Sequence, residues 1–334
     1  MENAVLWDRV GELADRAPRL SDLRHHKLHL LAASRRRAAG LDVPADLQTD
    51  ERLSAAILLG AGALMRRVRA ATDATIIVMK GPEVAAYWPQ ARLRPWKDLD
   101  LLVEDAEAVQ AALLAAGFVE IGDPAIYENI HHLRPLALSE FPLSIEVHMR
   151  PKWPTSTPPA FAELEASAVP SSFGLAGVLA PCPAHHAVML AAHAWEHDPL
   201  SRLGALVDVA AVTHAAGEEA VAAVARAWGV SRLWTATWRA VEDVLDDAVE
   251  SRQRPIWRRH LYDARERTVF ENHVQQLVGP VAAAPLTTVP STAARAVVNT
   301  LRPGPDESWS EKLTRSRRAL RNASIRRSDH LEAS

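Results

Sequence analysis

TIIVMKG at residues 75–81, KDLDLLV at 97–103 and IEVH at 145–148 decide how this chain is read. The first is a short β-branched run ended by glycine, which predicts a buried strand and a turn. PEVAAYW (82–88) then suits a short helix with proline in its first turn. DLDLLV (98–103) alternates acidic and apolar side chains before an apolar end. That is strand behaviour, and a period of two puts Asp98 and Asp100 on one face. DAEAVQAALLAAGF (105–118) predicts a helix stopped by glycine. YENIHHLRPLAL (127–138) and LSIEVHM (143–149) read as two further strands, with SEFP as the turn between them. Strand, short helix, strand, helix, strand, strand over 75–150 fits a small α/β (α+β) fold.

Outward from this core, residues 1–72 carry apolar positions at helical spacing (Val5 to Leu13, Leu23 to Leu31, Leu53 to Val68), which predicts three helices. The catalytic core is placed at 73–155, and the proline-rich stretch 156–184 reads as a linker or crossover. Amphipathic segments fill a helical domain at 185–278, with Ser201 and Ser231 as N-cap candidates. The remainder, 279–334, reads as an irregular proline-containing segment and an arginine-rich tail. The 334-residue length agrees with more than one domain. At 48% hydrophobic and 24% charged, the chain can build a sizeable core, which excludes wholesale disorder. A formal charge of -3 excludes a uniformly basic binder of polyanions. Cys182 stands alone, so neither a disulfide framework nor a cysteine-rich zinc site is available. There is no HExxH, no GxGxxG and no P-loop pattern. The N-terminus resembles no secretory signal, and the apolar runs are too short or too charged to span a bilayer. A cytoplasmic protein with no membrane partner is expected.

Two aspartates one residue apart on a strand can share divalent cations, since carboxylates this close repel unless a cation offsets them. Glu146, in a strand-like run, could bring a third. Three carboxylates around two Mg²⁺ ions, or Mn²⁺ in their place, suit the activation of a hydroxyl beside a clamped triphosphate. The plainer reading is a solvent-facing alternation on an edge strand. His148 should share the face of Glu146 and could bind phosphate or orient a carboxylate, a structural hydrogen bond being the alternative. His131 and His132, on an expected strand, should point opposite ways. His193 and His197 have i,i+4 spacing but lack a third ligand, and Trp228, Trp234 and Trp238 fit a packed helix face. Arg315, Arg317, Arg318, Arg321, Arg326 and Arg327, with Arg35 to Arg37 as a smaller cluster, could meet phosphate-rich partners or form solvated faces.

The run MKGPEVAAYWPQARLRPWKDLDLLVEDAEAVQAALLAAGF, then HHLRPL and IEVHMR, resembles the DNA-polymerase-β-like nucleotidyltransferase superfamily. More narrowly, it resembles a branch of uncharacterised nucleotidyltransferases with a KG turn, an arginine before a DxD strand, paired histidines and a later E-x-H strand. The resemblance is close over 75–150 and looser over 185–246. It implies a polymerase-β-like core between N-terminal helices and a C-terminal helical domain. It implies metal binding by Asp98, Asp100 and Glu146, with Glu146 helping to deprotonate the acceptor. Lys80, Gly81, Arg94, Lys97 and His148 would meet the nucleotide. The implied reaction is transfer of an NMP, most simply AMP from ATP, to an acceptor that is a small molecule, a protein or RNA. The near-neutral charge favours a small molecule slightly, and RNA would use the arginine-rich tail. The superfamily's glycine-serine turn is Lys80-Gly81 here, followed by Pro82, so the usual phosphate-holding serine is absent. That departure leaves open a catalytically degenerate protein serving as a nucleotide-binding or regulatory module. Lys80 could replace the hydroxyl electrostatically or pair with Asp98. Asp208 in LVDVAAV, an acid in an apolar stripe, could contact an arginine or the site.

Overall fold

The computed structural model describes residues 3–127, 130–139, 141–155, 157–246, 255–303 and 307–332. Four helices lead in, not three: α1 (Asn3–Arg16), α2 (Leu20–His25), α3 (His29–Ala38) and α4 (Ala45–Ala71). The middle apolar run is split because Lys27 adopts a left-handed backbone, φ 58°, which no α-helix can continue through.

The strands are β1 (Ile76–Val78), β2 (Asp98–Leu102), β3 (Val119–Glu120), β4 (Leu136–Ala137), β5 (Ser144–His148), β6 (Val169–Pro170) and β7 (Val178–Ala180). They form one sheet in the order β3-β4-β5-β2-β1-β7-β6. β1 runs antiparallel to β2, while β2 and β5 are parallel in direct register. Between β1 and β2 lies the short helix α5 (Pro82–Ala85), and α6 (Ala106–Ala115) follows β2. Asp105 caps α6 by accepting from the Ala108 N–H at 2.9 Å.

Two expectations need correction here. The stretch 127–138 is not one strand: only Leu136–Ala137 pairs regularly, beyond an isolated bridge between His132 and His148. Pro135 offers no N–H to a ladder, and Glu128 and Asn129 lie outside the described residues, as does Glu140 of the SEFP turn. The proline-rich stretch 156–184, expected as a linker or crossover, is a structured crossover and no linker: it holds α7 (Phe161–Ala166), β6 and β7, and β7 joins β1 in parallel. Pro170 is tolerated because β6 is an edge strand, where one side needs no donor.

The alternation along the strands divides the interior in two. Ile76, Val78, Leu99, Leu101, Ile145 and Val147 pack with Leu64, Met65 and Val68 of α4 and Leu113 of α6. On the other face, Ile77, Met79 and Leu102 meet α8 (Pro183–His197) and α9 (Leu203–Ala216) together with Leu6, Val10 and Leu13 of α1. The helical layer continues through α10 (Glu218–Ala227), α11 (Ser231–Leu245), α12 (Arg259–Tyr262) and α13 (Val269–Ala283). Neither serine caps as expected. Arg202 precedes α9, and Ser231 is the first residue of α11 after Val230, without a side-chain cap. The stretch expected to be irregular is largely helical: α13 runs through Pro280, and α14 (Val289–Leu301) carries Pro290 in its first turn, where proline fits. α15 (Trp309–Arg321) and α16 (Arg327–Glu332) close the described chain. No helix among the described residues is long and apolar enough to cross a membrane. The whole is a mixed α/β core, its central sheet flanked by helices and extended by helices at both ends, consistent with the polymerase-β-like fold implied by the sequence.

Candidate active site

The register of β2 against β5 sets Asp100 opposite Glu146 and Asp98 opposite Ser144. In-register residues of parallel strands share a face, so Asp98, Asp100, Glu146 and His148 all look toward the helical layer. His148 Nε2 lies 3.2 Å from Asp100 Oδ1 and 3.5 Å from Glu146 Oε2. His132 Nε2 is 3.7 Å from the same glutamate oxygen. One ligand atom from each of Asp100, Glu146 and His148 falls within 4.8 Å of the others. Both ring nitrogens of His148 are buried, and Nε2 meets the two carboxylates without well-aligned hydrogen-bond geometry. An imidazole nitrogen and two carboxylate oxygens converging in this way fit a divalent cation. The oxygens suit Mg²⁺ or Mn²⁺, and the nitrogen is a donor that Mn²⁺ accepts well.

The site carries its own counter-ions. Lys80 Nζ sits 3.2 Å from Asp100 Oδ1 and 3.3 Å from His193 Nε2. Burial opposes charge on Asp100, yet Lys80 and then His148 outweigh it and hold this carboxyl well below its ordinary range. Glu146 is lowered in the same way: burial opposes, and contact with His148 wins. Burial alone would lower His148, but Asp100 and Glu146 raise it. Asp98 goes the other way, pushed up by burial and then by the neighbouring Asp100. A carboxyl raised by a second carboxylate beside it is the electrostatic situation that an added cation relieves.

His148 borders a small recess with Met79, Pro151 and Lys152, while Asp98, Asp100, Glu146, Lys80 and His193 line an adjoining cavity of about 530 Å³ between the sheet and the helical layer. Gly81 enters it with φ 64° and ψ -120°, a backbone conformation open essentially to glycine alone. A Cβ here would stand 3.3 Å from the Trp96 ring and 3.4 Å from the Asp98 carbonyl oxygen. Lys97 lines the cavity and is exposed. Lys80 pairs with Asp100, not with Asp98.

Arg94 has a different environment from the one expected of a phosphate ligand. It borders the cavity, but its Nε and Nη2 donate to Asp208 Oδ1 and Oδ2 at 2.8 and 2.9 Å. Nη1 reaches the Gly81 carbonyl at 3.3 Å, and Trp88 Nε1 donates to the same aspartate at 2.9 Å. The buried fork ties the Gly81 turn to α9, which accounts for the acid in an apolar helical stripe. His131 and His132 do not face opposite ways across a strand, since no regular strand forms there; their rings lie 4.8 Å apart and both line the cavity.

Several cavity residues escaped sequence reasoning: Lys27 of the α2–α3 turn, Lys152 of the loop after β5, and Asp198 and Arg202 of the α8–α9 connection, joined by His193 of α8. The His197 side chain lies outside the described structure. The three tryptophans pack, Trp234 stacking on Trp238 at 5.6 Å and Trp228 lying against Trp153 and His185. Much of the arginine surplus is engaged internally. Arg315 pairs with Glu307, Arg326 with Asp22 and Arg327 with Asp198, while Arg35 and Arg37 pair with Asp15 and Glu51.

A family model described as an uncharacterised nucleotidyltransferase matches residues 19–246. No curated protein and no solved structure matches the chain.

Proposed function

Since the chain belongs to the uncharacterised nucleotidyltransferase family, we propose that it is a metal-dependent nucleotidyltransferase moving an NMP, most simply AMP from ATP, onto a small-molecule hydroxyl. The observation that carries this reading is the convergence of Asp100, Glu146 and His148, the two carboxylates lining a cavity large enough for a nucleotide. A divalent cation held by these three, with Asp98 alongside, would supply neutralisation of the triphosphate and polarisation of the α-phosphate.

The protein's own groups do the rest by position and charge. Glu146, with its side chain 23% exposed against 4% for Asp100, is the cluster's most open carboxylate and receives the proton of the acceptor hydroxyl. The acceptor oxygen bonds to the α-phosphorus, the bond from that phosphorus to the bridging oxygen breaks, and pyrophosphate leaves. His132 and His148 hold Glu146 in place. Gly81 lets backbone approach the phosphates, and Lys80 turns its ammonium between Asp100 and the triphosphate. A small acceptor is favoured over RNA because so many of the clustered arginines already have carboxylate partners.

A second reading, a degenerate nucleotide-binding or regulatory module, is favoured by two observations: Lys80 sits 3.2 Å from Asp100, and the turn Lys80-Gly81-Pro82 holds no serine. Incubation with Mg²⁺ or Mn²⁺, each NTP and fractionated cell extract, with pyrophosphate release as the readout, separates the two. Release that needs an extract fraction and disappears in Asp100→Asn supports the transferase. Nucleotide binding without release in any fraction supports the module.

A further inference from the structure

Three cations lining the cavity form no close ion pair among the described residues, although Asp208 and Asp98 act on Lys27 from further off. Among the described residues, no carboxylate lies within ion-pair distance of Lys27, Lys97 or Arg202, although all three border the same space as Asp98 and Asp100. Arg202 Nε is buried without any hydrogen-bond partner. Lys27 and Arg202, half-buried and without a contacting carboxylate, keep donors that an entering polyanion would satisfy.

Lys27 is also held there against its backbone preference. Three non-glycine residues among those described have positive φ, and two of them, Lys27 at 58° and Leu200 at 51°, sit in the two connections that bring Lys27 and Arg202 to the cavity. Such strain persists only where surrounding structure imposes it, and it collects at functional sites. The structure imposing it is visible. His26 donates Nε2–H to the Arg265 carbonyl at 2.9 Å and accepts at Nδ1 from the Leu203 N–H at 3.1 Å. The His26 carbonyl accepts from the Gly204 N–H at 2.9 Å, an approach so close that a Cβ on Gly204 would stand 2.7 Å from that oxygen. The Lys27 turn is therefore seated on the start of α9, beside Arg202. Burial, and Arg94 next to it, bring the Lys27 amine down to about 8.

We propose that Lys27, with Arg202 and Lys97, binds the β- and γ-phosphates of the nucleoside triphosphate, making the N-terminal helices part of the substrate site. This rests on the nucleotidyltransferase reading and extends it to residues that no motif marks. Lys27 and Arg202 approach from the helical layer, opposite the strand-borne carboxylates. The triphosphate would thus lie between a metal-binding wall and a basic one.

Calorimetric titrations in Mg²⁺ buffer test this with a non-hydrolysable ATP analogue, inorganic tripolyphosphate and AMP. The variants are Lys27→Asn, Lys27→Arg and Arg202→Gln; asparagine removes the charge yet tolerates a left-handed backbone. Loss of one charge-assisted phosphate contact should weaken the analogue and tripolyphosphate roughly tenfold to a hundredfold, and leave AMP within about twofold. Lys27→Arg should recover most of the loss. Wild-type binding of the analogue that Lys27→Asn leaves unchanged, or that falls in parallel with AMP, overturns this proposal alone. A wild-type protein that binds neither analogue nor tripolyphosphate overturns both it and the proposed function.

Discussion

Arg94→Met separates a strut from a ligand. Arg94 and Asp208 have side chains only 6% and 10% exposed and meet through two parallel hydrogen bonds, with Trp88 as a further donor to Asp208. Removing the guanidinium leaves a buried carboxylate with one neutral donor, and breaking such a pair from one side costs about 3–5 kcal/mol. At about 2 °C per kcal/mol for a chain of this size, Tm should fall by roughly 6–10 °C. Asp208→Asn keeps an acceptor for Trp88 while removing the stranded charge. The double variant should therefore regain at least half of the loss, a coupling that chemical denaturation of all four proteins would measure. Arg94→Lys should not rescue, because an ammonium cannot reproduce the two-pronged geometry. The reasoning is refuted if Arg94→Met costs less than about 1 kcal/mol while NTP affinity collapses, for then the arginine would serve the ligand and not the fold.

Other consequences follow from the same structure. His26 and His186 are buried neutral, lowered by burial to about 3 and about 4, and His186 donates to the Met79 carbonyl at 2.6 Å. Their folded pKa values lie below the unfolded 6.5, so the stability they carry is complete above pH 6.5 and is lost as pH falls toward about 4 for His186 and about 3 for His26. His186 alone should remove roughly 3 kcal/mol over that interval, and His186→Gln should flatten the acid limb of Tm against pH. Gly81→Ala forces a side chain into a glycine-only conformation facing Trp96, and should destabilise the protein by about 1–3 kcal/mol in urea denaturation. Mn²⁺ titration followed by electron paramagnetic resonance should show one site. Asp100→Asn should abolish it, and His148→Ala should weaken it roughly tenfold or more.

The strand half of the site was legible because its signals are local. Asp98 and Asp100 alternate with buried leucines, and Glu146 and His148 repeat the period, so direct strand register brings them together. The helical half was not. Lys27, His193 and Arg202 sit in ordinary helical or turn sequence, and only the docking of α9 against the α2–α3 turn gathers them. An arginine contact was legible for Asp208, but not that Arg94 makes it, since the two lie far apart along the chain. β6 and β7 were missed because strands of two and three residues are too short to show a period, and the flanking prolines read as a linker. Pro280 and Pro290 misled similarly: Pro290 occupies a first-turn position that proline tolerates, while α13 continues through Pro280 against its local preference.

The central claim concerns which phosphorus is attacked, and position-specific labelling asks that directly. With an active acceptor fraction and Mg²⁺ or Mn²⁺, NTP labelled at the α-phosphate should label the acceptor. NTP labelled at the γ-phosphate should yield only labelled pyrophosphate, and Asp100→Asn should remove both signals. Transfer of the γ-label to the acceptor, or α-label transfer that persists in Asp100→Asn, would contradict a nucleotidyltransferase working through this carboxylate.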